Sequence, residues 1–279
     1  DGHRGTQDAM PFGTGDELKN KYPDFAGVAM CDWGGNRSLV VKNQKFLKKG
    51  HFIGQDAISM FSIPVLQGDK DPLKEPYSIV LTKETAEALF GNENPIGKVV
   101  RMDNKVDLQV SAVVEAQPKN ATLQFDYLLP WHLQQKIYDW MKGQENNWGN
   151  NSYQVFVQVK DNISPQATNG RIKNLIRNHF LDNTLMKNSI KPEVFIFPMT
   201  KWRLYSEFKD GFNSGGFIKY VRLFAIFGLC VLVIACINFM NLSTARSQKR
   251  TKEVGVRKAV GSGRDQLIFQ FLSESMVIT

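Results

Sequence analysis

The sequence predicts an α+β domain followed by a transmembrane α-helix. Two observations support this prediction: residues 223–245 contain no charged side chain, and the residues before them carry a series of strand and helix signals. Short runs that alternate apolar and polar residues are typical of half-buried strands, whereas capped runs with apolar residues three and four apart are typical of helices. We therefore place the domain at residues 1–216 and the membrane helix at residues 217–245.

The uncharged stretch contains 23 residues and lies between Arg222 and Arg246. At about 1.5 Å per residue, a helix of this length covers roughly 34 Å, which exceeds the hydrocarbon core of about 30 Å. A buried helix of a soluble protein is the alternative, but such helices rarely stay uncharged over this length. The stretch therefore predicts a membrane helix.

The charges on its two sides predict the orientation of this helix. Residues 246–265 contain seven basic and two acidic residues, whereas residues 1–220 contain 27 basic and 24 acidic residues. Lys and Arg concentrate at the cytoplasmic end of a membrane helix. We therefore expect the residues after the helix to be cytoplasmic and the domain to lie outside, which in a bacterium is the periplasm.

Composition excludes some functions and compartments. The net charge is +8, but five of the excess positive charges follow residue 220, so membrane topology explains them and nucleic acid is not an expected partner. Cys31 is the only cysteine before the membrane helix, which predicts a domain without an internal disulfide. The sequence starts at Asp1 without a signal peptide or a preceding membrane helix, so we expect it to be a fragment.

The first part of the domain is rich in strand signals. Thr82 and Gly91 bracket a short helix as N-cap and C′ residues, and further helical segments are predicted at residues 16–22, 56–61 and 131–142. Gly34-Gly35-Asn36 and Asp103-Asn104-Lys105 are turn sequences between strands. The predicted strands are residues 25–30, 38–41, 45–52, 78–81, 98–102, 106–115 and 123–129.

The last part of the domain follows a polar junction at residues 146–151. Residues 153–160 and 193–197 are predicted strands. Between them, Ser164 supplies an N-cap oxygen and Pro165 occupies the first position of a helix. The order strand, helix, strand predicts a βαβ unit.

Motifs for enzyme chemistry are missing from the sequence. Residues 91–99, GNENPIGKV, differ from a phosphate-binding loop in their glycine spacing, in having Val99 where Ser or Thr binds magnesium, and in following a helix. A loop from helix to strand is the better interpretation. The four histidines His3, His51, His132 and His179 are scattered and form no metal-binding or catalytic pattern. We therefore predict no catalytic, metal-binding or cofactor-binding residue.

Two stretches near the C-terminus suggest contacts with other helices or proteins. Asn238 and Asn241 lie one turn apart in the membrane helix and are predicted to bond a neighbouring helix. Residues 246–265 are basic, and we expect Gly255, Gly261 and Gly263 to limit helices there to one or two turns. Residues 266–279 are apolar again and predict the start of another membrane helix, so residues 246–265 would form a short cytoplasmic loop.

Several segments, in matching order, resemble the MacB/FtsX-type ABC transporter permeases. Residues 235–275 resemble the segment that follows the second membrane helix of these permeases. Residues 78–98, 123–131, 147–160 and 202–208 resemble the MacB-like periplasmic core domain. Two features depart from the pattern: the first membrane helix is missing, and Ser262 replaces a more usual Ala.

The resemblance implies a permease with four membrane helices and a periplasmic domain between the first two. The domain would have a mixed βαβ lobe, from residues 1–75 and 150–216, and an inserted mainly β lobe at residues 76–149. The cytoplasmic loop would contact an ABC ATPase, which binds the ATP, so this chain needs no cofactor of its own. The contact residues would be Glu253, Gly255, Arg257, Lys258 and Gly261.

The resemblance also implies a mechanism and further partners. ATP-driven motion of the ATPase would pass to the periplasmic domain, a process called mechanotransmission, and would export a substrate that the sequence leaves open. A second permease subunit, identical or pseudo-symmetric, a periplasmic adaptor and membrane lipid are the other expected partners. The alternatives are a membrane-anchored receptor that signals to a cytoplasmic partner and a periplasmic enzyme on an anchor.

Overall fold

The computed structural model describes residues 4–180 and 191–278. Thr6–Pro198 forms one compact unit, and the residues from Met199 onward belong to a second unit. The first unit contains most of the predicted domain, and the second contains the predicted membrane helix.

The first unit is an α+β domain, as predicted, and its described strands all belong to one sheet. The strands are β1 (Phe25–Cys31), β2 (Gly35–Val41), β3 (Gln44–Ile53), β4 (Val65–Gly68), β5 (Ser78–Thr82), β6 (Val99–Met102), β7 (Val106–Val114), β8 (Tyr127–Pro130) and β9 (Gln154–Val159). Its described α-helices are α1 (Thr14–Lys21), α2 (Ala57–Met60), α3 (Lys83–Phe90), α4 (Leu133–Ile137), α5 (Pro165–Ile172) and α6 (Leu175–Asn178).

The second unit contains a small hairpin and two longer helices. Its described α-helices and strands are α7 (Trp202–Tyr205), β10 (Glu207–Lys209), β11 (Phe212–Gly215), α8 (Ile218–Ala259) and α9 (Arg264–Ile278). The two strands pair only with each other among the described residues.

Six strands of the first unit close into a barrel. In the order β2, β6, β7, β5, β8, β3, each strand pairs with the next, and β3 pairs back with β2. The β3–β8 and β5–β7 pairs are parallel, and the other pairs of the ring are antiparallel. Closure removes the exposed edges that an open sheet of these strands would present.

Three strands extend the sheet beyond this barrel. β4 pairs with β7, whereas β1 pairs with β9 along its length and with β3 through Cys31 and Ile53. The strand pairing does not follow the predicted lobe limits near residues 75 and 150, because β2 and β3 precede residue 75 and pair with β6 and β8. Those lobe limits stay a prediction.

Alternate side chains of the barrel strands form one hydrophobic core. In β7, Leu108 and Val110 are buried whereas Asp107 and Gln109 are exposed, as the period of two predicts. Gly50 faces Tyr127 across the β3–β8 pair, and a Cβ at Gly50 would lie 2.3 Å from the Tyr127 ring. The barrel strands contribute Leu39, Val41, Phe52, Ile79, Leu81, Val100, Met102, Leu108, Val110, Val113, Tyr127 and Leu129.

A second core lies where α1, α5 and α6 pack against β1 and β9. Its buried members are Leu18, Phe25, Val28, Ile172, Leu175 and Ile176. Val155, Val157 and Val159 of β9 are partly buried against them. The helices thus cover the part of the sheet that lies outside the barrel.

The strand predicted at residues 193–197 is wrong. The amide of Val194 donates to the carbonyl of Lys173 (3.0 Å), and that of Ile196 donates to Oδ1 of Asn169 (2.7 Å). Both apolar side chains pack on the second core. Their alternation therefore reflects contact with α5 and α6 and not pairing in the sheet. Among the described residues, the predicted βαβ unit consists of a strand, two helices and this irregular segment.

Asp24 connects α5 to the start of β1. Its side chain is 4% exposed and accepts hydrogen bonds from Oγ1 of Thr168 (2.8 Å) and Nε of Arg171 (2.7 Å). Burial raises the pKa of Asp24, but the hydrogen bonds from Arg171 and Thr168 and the charge of Arg171 outweigh burial and hold the pKa below its ordinary value.

We predict that Asp24→Asn lowers the free energy of unfolding by roughly 1.5–3 kcal/mol at neutral pH, because the buried carboxylate loses charge-assisted hydrogen bonds. Since the folded-state pKa lies below the unfolded value of about 3.9, this stabilisation is present above that pH and is lost as the pH falls through the folded-state pKa. Urea unfolding of the full chain, followed by tryptophan fluorescence at neutral and acidic pH, measures both effects.

Asp107→Asn is the matched control, because Asp107 forms an exposed ion pair with Arg101 and should contribute little. A difference between Asp24→Asn and the wild type that does not shrink on acidification would contradict this account of Asp24.

Candidate functional site

The helix α8 contains 42 residues without interruption. At about 1.5 Å per residue it is roughly 63 Å long, which exceeds the roughly 40–45 Å of a bilayer with its headgroups. Its first part, Ile218–Ala245, is the one helix among the described residues that is long and apolar enough to cross a membrane. The rest, residues 246–259, is strongly basic. The helix is thus long enough to cross a bilayer and project beyond it.

A β-hairpin holds the start of α8. Nζ of Lys219, in the first turn, lies 2.9 Å from Oε2 of Glu207 in β10. Gly216 connects β11 to α8 with a φ of +137°, and a Cβ there would lie 3.0 Å from the carbonyl oxygen of Leu204. These contacts explain why the chain between Pro198 and α8 belongs to the second unit.

The structure places most of the predicted ATPase-contact residues inside α8. The expectation that Gly255 interrupts the helix is wrong, because α8 continues to Ala259. A glycine in a helix costs about 1 kcal/mol relative to alanine, and extending an existing helix avoids the much larger cost of nucleating a new one. Within α8 lie Glu253, Gly255, Arg257 and Lys258, and Gly261 follows its end.

Gly261 ends α8, as predicted. Its φ is +100°, its amide donates to the carbonyl of Lys258 (3.2 Å), and the next amide, of Ser262, donates to the carbonyl of Arg257 (3.1 Å). This pair of hydrogen bonds is a Schellman motif, which requires a left-handed residue that glycine provides most easily. The next helix, α9, begins at Arg264.

The side chain of Arg257 connects α8 to α9. Its Nη1 donates to Oε1 of Gln270 (3.1 Å). Lys258 is exposed. Arg257 therefore has an intrachain contact in addition to its predicted contact with an ATPase, and any test of that prediction must separate the two.

Asn238 and Asn241 lie on one face of the apolar span of α8. Both side chains are exposed in the isolated chain. Polar side chains within a membrane usually face other helices, because lipid offers them no hydrogen-bond partner. Their role in helix packing stays a prediction.

A separate polar cluster lies in the first unit, where β1 ends beside β3. One ligand atom each from Cys31, Asp32 and His51 lies within 4.8 Å of the others. Sγ of Cys31 lies 3.6 Å from Nδ1 of His51 and donates to the carbonyl oxygen of Asp32 (3.2 Å). Burial raises the pKa of the Cys31 thiol, and the charge of Asp32 raises it further, so the thiol is protonated.

The carboxylate of Asp32 organises the break between β1 and β2. Its Oδ1 accepts hydrogen bonds from the amides of Gly34 (3.0 Å) and Phe52 (3.1 Å), and its Oδ2 lies 3.4 Å from Nη2 of Arg37. The His51 ring packs on Gly34, where a Cβ would lie 2.4 Å from Cε1 of the ring. Residues 31 and 51 meet only through the register of β1 with β3, so no sequence pattern marks the cluster.

Two known protein families match this chain, one over the first unit and one over the C-terminal helices. The family described as the MacB-like periplasmic core domain matches residues 2–175, and the FtsX-like permease C-terminal family matches residues 225–279. The chain belongs to the permeases with a MacB-like periplasmic core domain. The resemblance seen in the sequence is therefore confirmed.

Individual relatives agree with this family. The macrolide export ATP-binding/permease protein MacB of Neisseria meningitidis is 25% identical over 258 residues, which cover 91% of this chain and 36% of MacB. SyfD of Pseudomonas syringae, named for syringafactin export, is 24% identical over 211 residues, which cover 75% of this chain and 28% of SyfD. The chain thus spans about a third of the length of the curated relatives it matches.

Solved structures support the fold. A permease domain from Porphyromonas gingivalis matches with a TM-score of 0.56 and 20% identity, covering 69% of this chain and 86% of that domain. Together with the spanning helix, the MacB-like family identifies an inner-membrane protein with a periplasmic domain, as predicted.

Proposed function

We propose that this chain is the permease part of an ABC transporter and passes ATP-driven motion of an ATPase to its periplasmic domain. The observation that supports this proposal most strongly is the continuity of α8. One helix runs from the hairpin at its start, through the apolar span, to the residues predicted to contact the ATPase.

A helix of this kind suits the transmission of motion. Its backbone amides are hydrogen-bonded along the whole length, and a hinge would need residues that absorb a change of φ and ψ. α8 contains no proline, and its glycines are Gly228 and Gly255. Displacing one end therefore shifts or tilts the helix as a body, including the part that leaves the bilayer.

The basic end of α8 is the proposed contact with the ATPase. Arg257 and Lys258 lie in the last turn, where the helix dipole favours positive charge, and Glu253 precedes Arg257 by one turn. Gly261 ends the helix beyond this contact. We propose that these charges bind a groove on the ATPase and that all ATP chemistry takes place on that partner.

The exposed side chains in the apolar span of α8 suggest further partners. A second permease subunit, identical or pseudo-symmetric, would cover Asn238 and Asn241, and lipid would cover the apolar remainder. A periplasmic adaptor is proposed by analogy with the family alone. MacB and SyfD are named for export, and we propose export for the complete transporter without assigning its substrate.

The permease is a better interpretation than the two alternatives. A membrane-anchored receptor and an anchored enzyme would also need a membrane helix. Neither explains why residues 225–279, which include most of α8 together with α9, match a permease family.

We predict that Arg257→Glu abolishes the stimulation of ATPase activity by the permease. Reversing the charge at a buried, hydrogen-bonded contact costs about 2–5 kcal/mol, which corresponds to a roughly 30-fold or larger loss of affinity. ATP hydrolysis by the reconstituted complex measures the effect. Membrane insertion and the basal activity of the isolated ATPase should not change.

Gln270→Ala is the matched control for this variant, because it removes the intrachain bond of Arg257 and keeps its charge. It should retain stimulation. Equal losses in the two variants would assign the effect to the contact between α8 and α9, and normal stimulation by Arg257→Glu would show that this end of α8 does not couple to the ATPase.

We also predict that Gly255→Pro uncouples ATP hydrolysis from export, because proline inside a helix costs about 3 kcal/mol or more and breaks or kinks it. Gly255→Ala is the matched control: among the described residues, nothing outside the adjoining helix backbone lies within 4 Å of the added Cβ, and the helix gains about 1 kcal/mol. Export and ATP hydrolysis, measured side by side in proteoliposomes, should both persist in Gly255→Ala. Full export by Gly255→Pro would remove the requirement for a continuous helix.

A further inference from the structure

The cluster of Cys31, Asp32 and His51 has the composition and the burial of a metal site. Cys31 is 0% exposed and His51 is 5% exposed. Thiolate, imidazole and carboxylate are the three ligand types that proteins use for zinc. Cys31 and His51 lie 20 positions apart in the sequence and outside any metal-binding motif, so the sequence predicts no metal site here.

The two ring nitrogens of His51 both face hydrogen-bond acceptors. Nε2 lies 3.3 Å from the carbonyl oxygen of Gln124, and Nδ1 lies 3.2 Å from the carbonyl oxygen and 3.3 Å from Oδ1 of Asp32. All these oxygens only accept hydrogen bonds, whereas a neutral imidazole has one N–H. One ring nitrogen would therefore direct its lone pair at an acceptor, unless the ring carries a second proton or binds a cation. The thiol of Cys31, 3.6 Å from Nδ1, is a weak donor that could meet this lone pair only by giving up its own bond to the carbonyl of Asp32.

We propose that Cys31, Asp32 and His51 bind a Zn²⁺ ion. The ring would donate from Nε2 to the carbonyl of Gln124, which leaves the Nδ1 lone pair free to coordinate. A hydrogen bond from the non-coordinating nitrogen to a carbonyl is the usual arrangement for a histidine ligand. Binding replaces the thiol proton of Cys31, which leaves to solvent, by a sulfur–zinc bond.

Two of the three ligand separations match a tetrahedral zinc site, and the third, between Sγ and the carboxylate of Asp32, is within 4.8 Å. With zinc–sulfur bonds of about 2.3 Å and zinc–nitrogen and zinc–oxygen bonds of about 2.0–2.2 Å, ligand atoms lie about 3.3–3.6 Å apart. The separations here are 3.6 Å for Sγ to Nδ1 and 3.3 Å for Nδ1 to Oδ1 of Asp32. Three protein ligands would leave the fourth position of the tetrahedron to a water molecule.

The neighbours of the cluster already hold its carboxylate in place. The amides of Gly34 and Phe52 donate to Oδ1 of Asp32, and Arg37 lies beside Oδ2. Such outer contacts orient metal ligands. Because a carboxylate oxygen has two lone pairs, Oδ1 would give up one of its two amide hydrogen bonds on binding zinc. The ion would fasten the end of β1 to β3, which is where the barrel meets the part of the sheet outside it. This role is independent of the proposed transport function.

Zinc content tests the proposal directly. The full chain without an affinity tag is stripped with a chelator, equilibrated with Zn²⁺, washed, and measured by plasma mass spectrometry. We expect about one zinc ion per wild-type chain and at least a roughly tenfold lower content in Cys31→Ser and in His51→Gln. Zinc-edge X-ray absorption should then show one sulfur ligand at about 2.3 Å.

Cys230→Ser and His132→Gln are the matched controls, because they remove a cysteine and a histidine that lie elsewhere, and both should keep the ion. Zinc content that is equal in wild type and Cys31→Ser would overturn the proposal. So would a wild-type chain that holds no zinc and whose His51 carries two protons by nitrogen NMR, since an imidazolium would then satisfy all the oxygens.

Discussion

Backbone hydrogen bonding inside a bilayer is the constraint on which the second unit depends. Hydrocarbon offers no partner to an amide or a carbonyl, so a single crossing segment must satisfy both within itself, and an α-helix does so. Once the apolar span of α8 is helical, each further residue adds a hydrogen bond without a new nucleation step. The basic residues after Ala245 continue the same helix for this reason, and Gly255 does not interrupt it. The geometry that would carry motion is thus a consequence of how the span must fold.

The periplasmic unit meets the same requirement for backbone pairing by closing a sheet. Strands from distant parts of the sequence, β2 and β3 on one side and β5 to β8 on the other, pair into a ring whose interior is filled by alternate side chains. Outside the ring, β1 and β9 depend on α1, α5 and α6 for their cover. The two cores meet where β1 passes beside β3, and the Asp32 carboxylate organises the chain at that junction.

Features that depend on neighbouring residues were predictable from the sequence. The membrane span follows from length and hydropathy, and the caps follow from residue type: Oγ1 of Thr82 accepts from the amide of Thr85, and Oγ of Ser164 accepts from the amide of Ala167. Gly261 ends α8 because its backbone is left-handed, which glycine tolerates. Such signals lie within a few residues of the structure that they determine.

Features that depend on tertiary contacts were not predictable. Closure of the barrel rests on pairs such as β3 with β8, whose register no local pattern reveals. Residues 193–197 have the alternation of a strand, yet the amides of Val194 and Ile196 donate hydrogen bonds to residues in and next to α5. Gly255 has a low helix propensity, which the continuous helix around it overrides. Cys31 and His51 meet through strand pairing, so the candidate metal site was hidden. The contacts of the α8 end with an ATPase and of Asn238 and Asn241 with a neighbouring helix stay predictions, since the partners belong to other helices or proteins.

The central claim is that α8, which connects the two sides of the membrane, moves as one rigid body. Spin labels at Val221 and Lys252, after removal of Cys230 and Cys236, report the length of the intervening helix by pulsed electron resonance. About 31 steps of 1.5 Å separate the two labelled positions, or roughly 46 Å. The account predicts one narrow distance distribution near this value, both without nucleotide and with ATP trapped on the ATPase, in samples diluted with unlabelled chain. A second or shorter distance that appears with ATP would show that the helix breaks during the cycle and would contradict the claim.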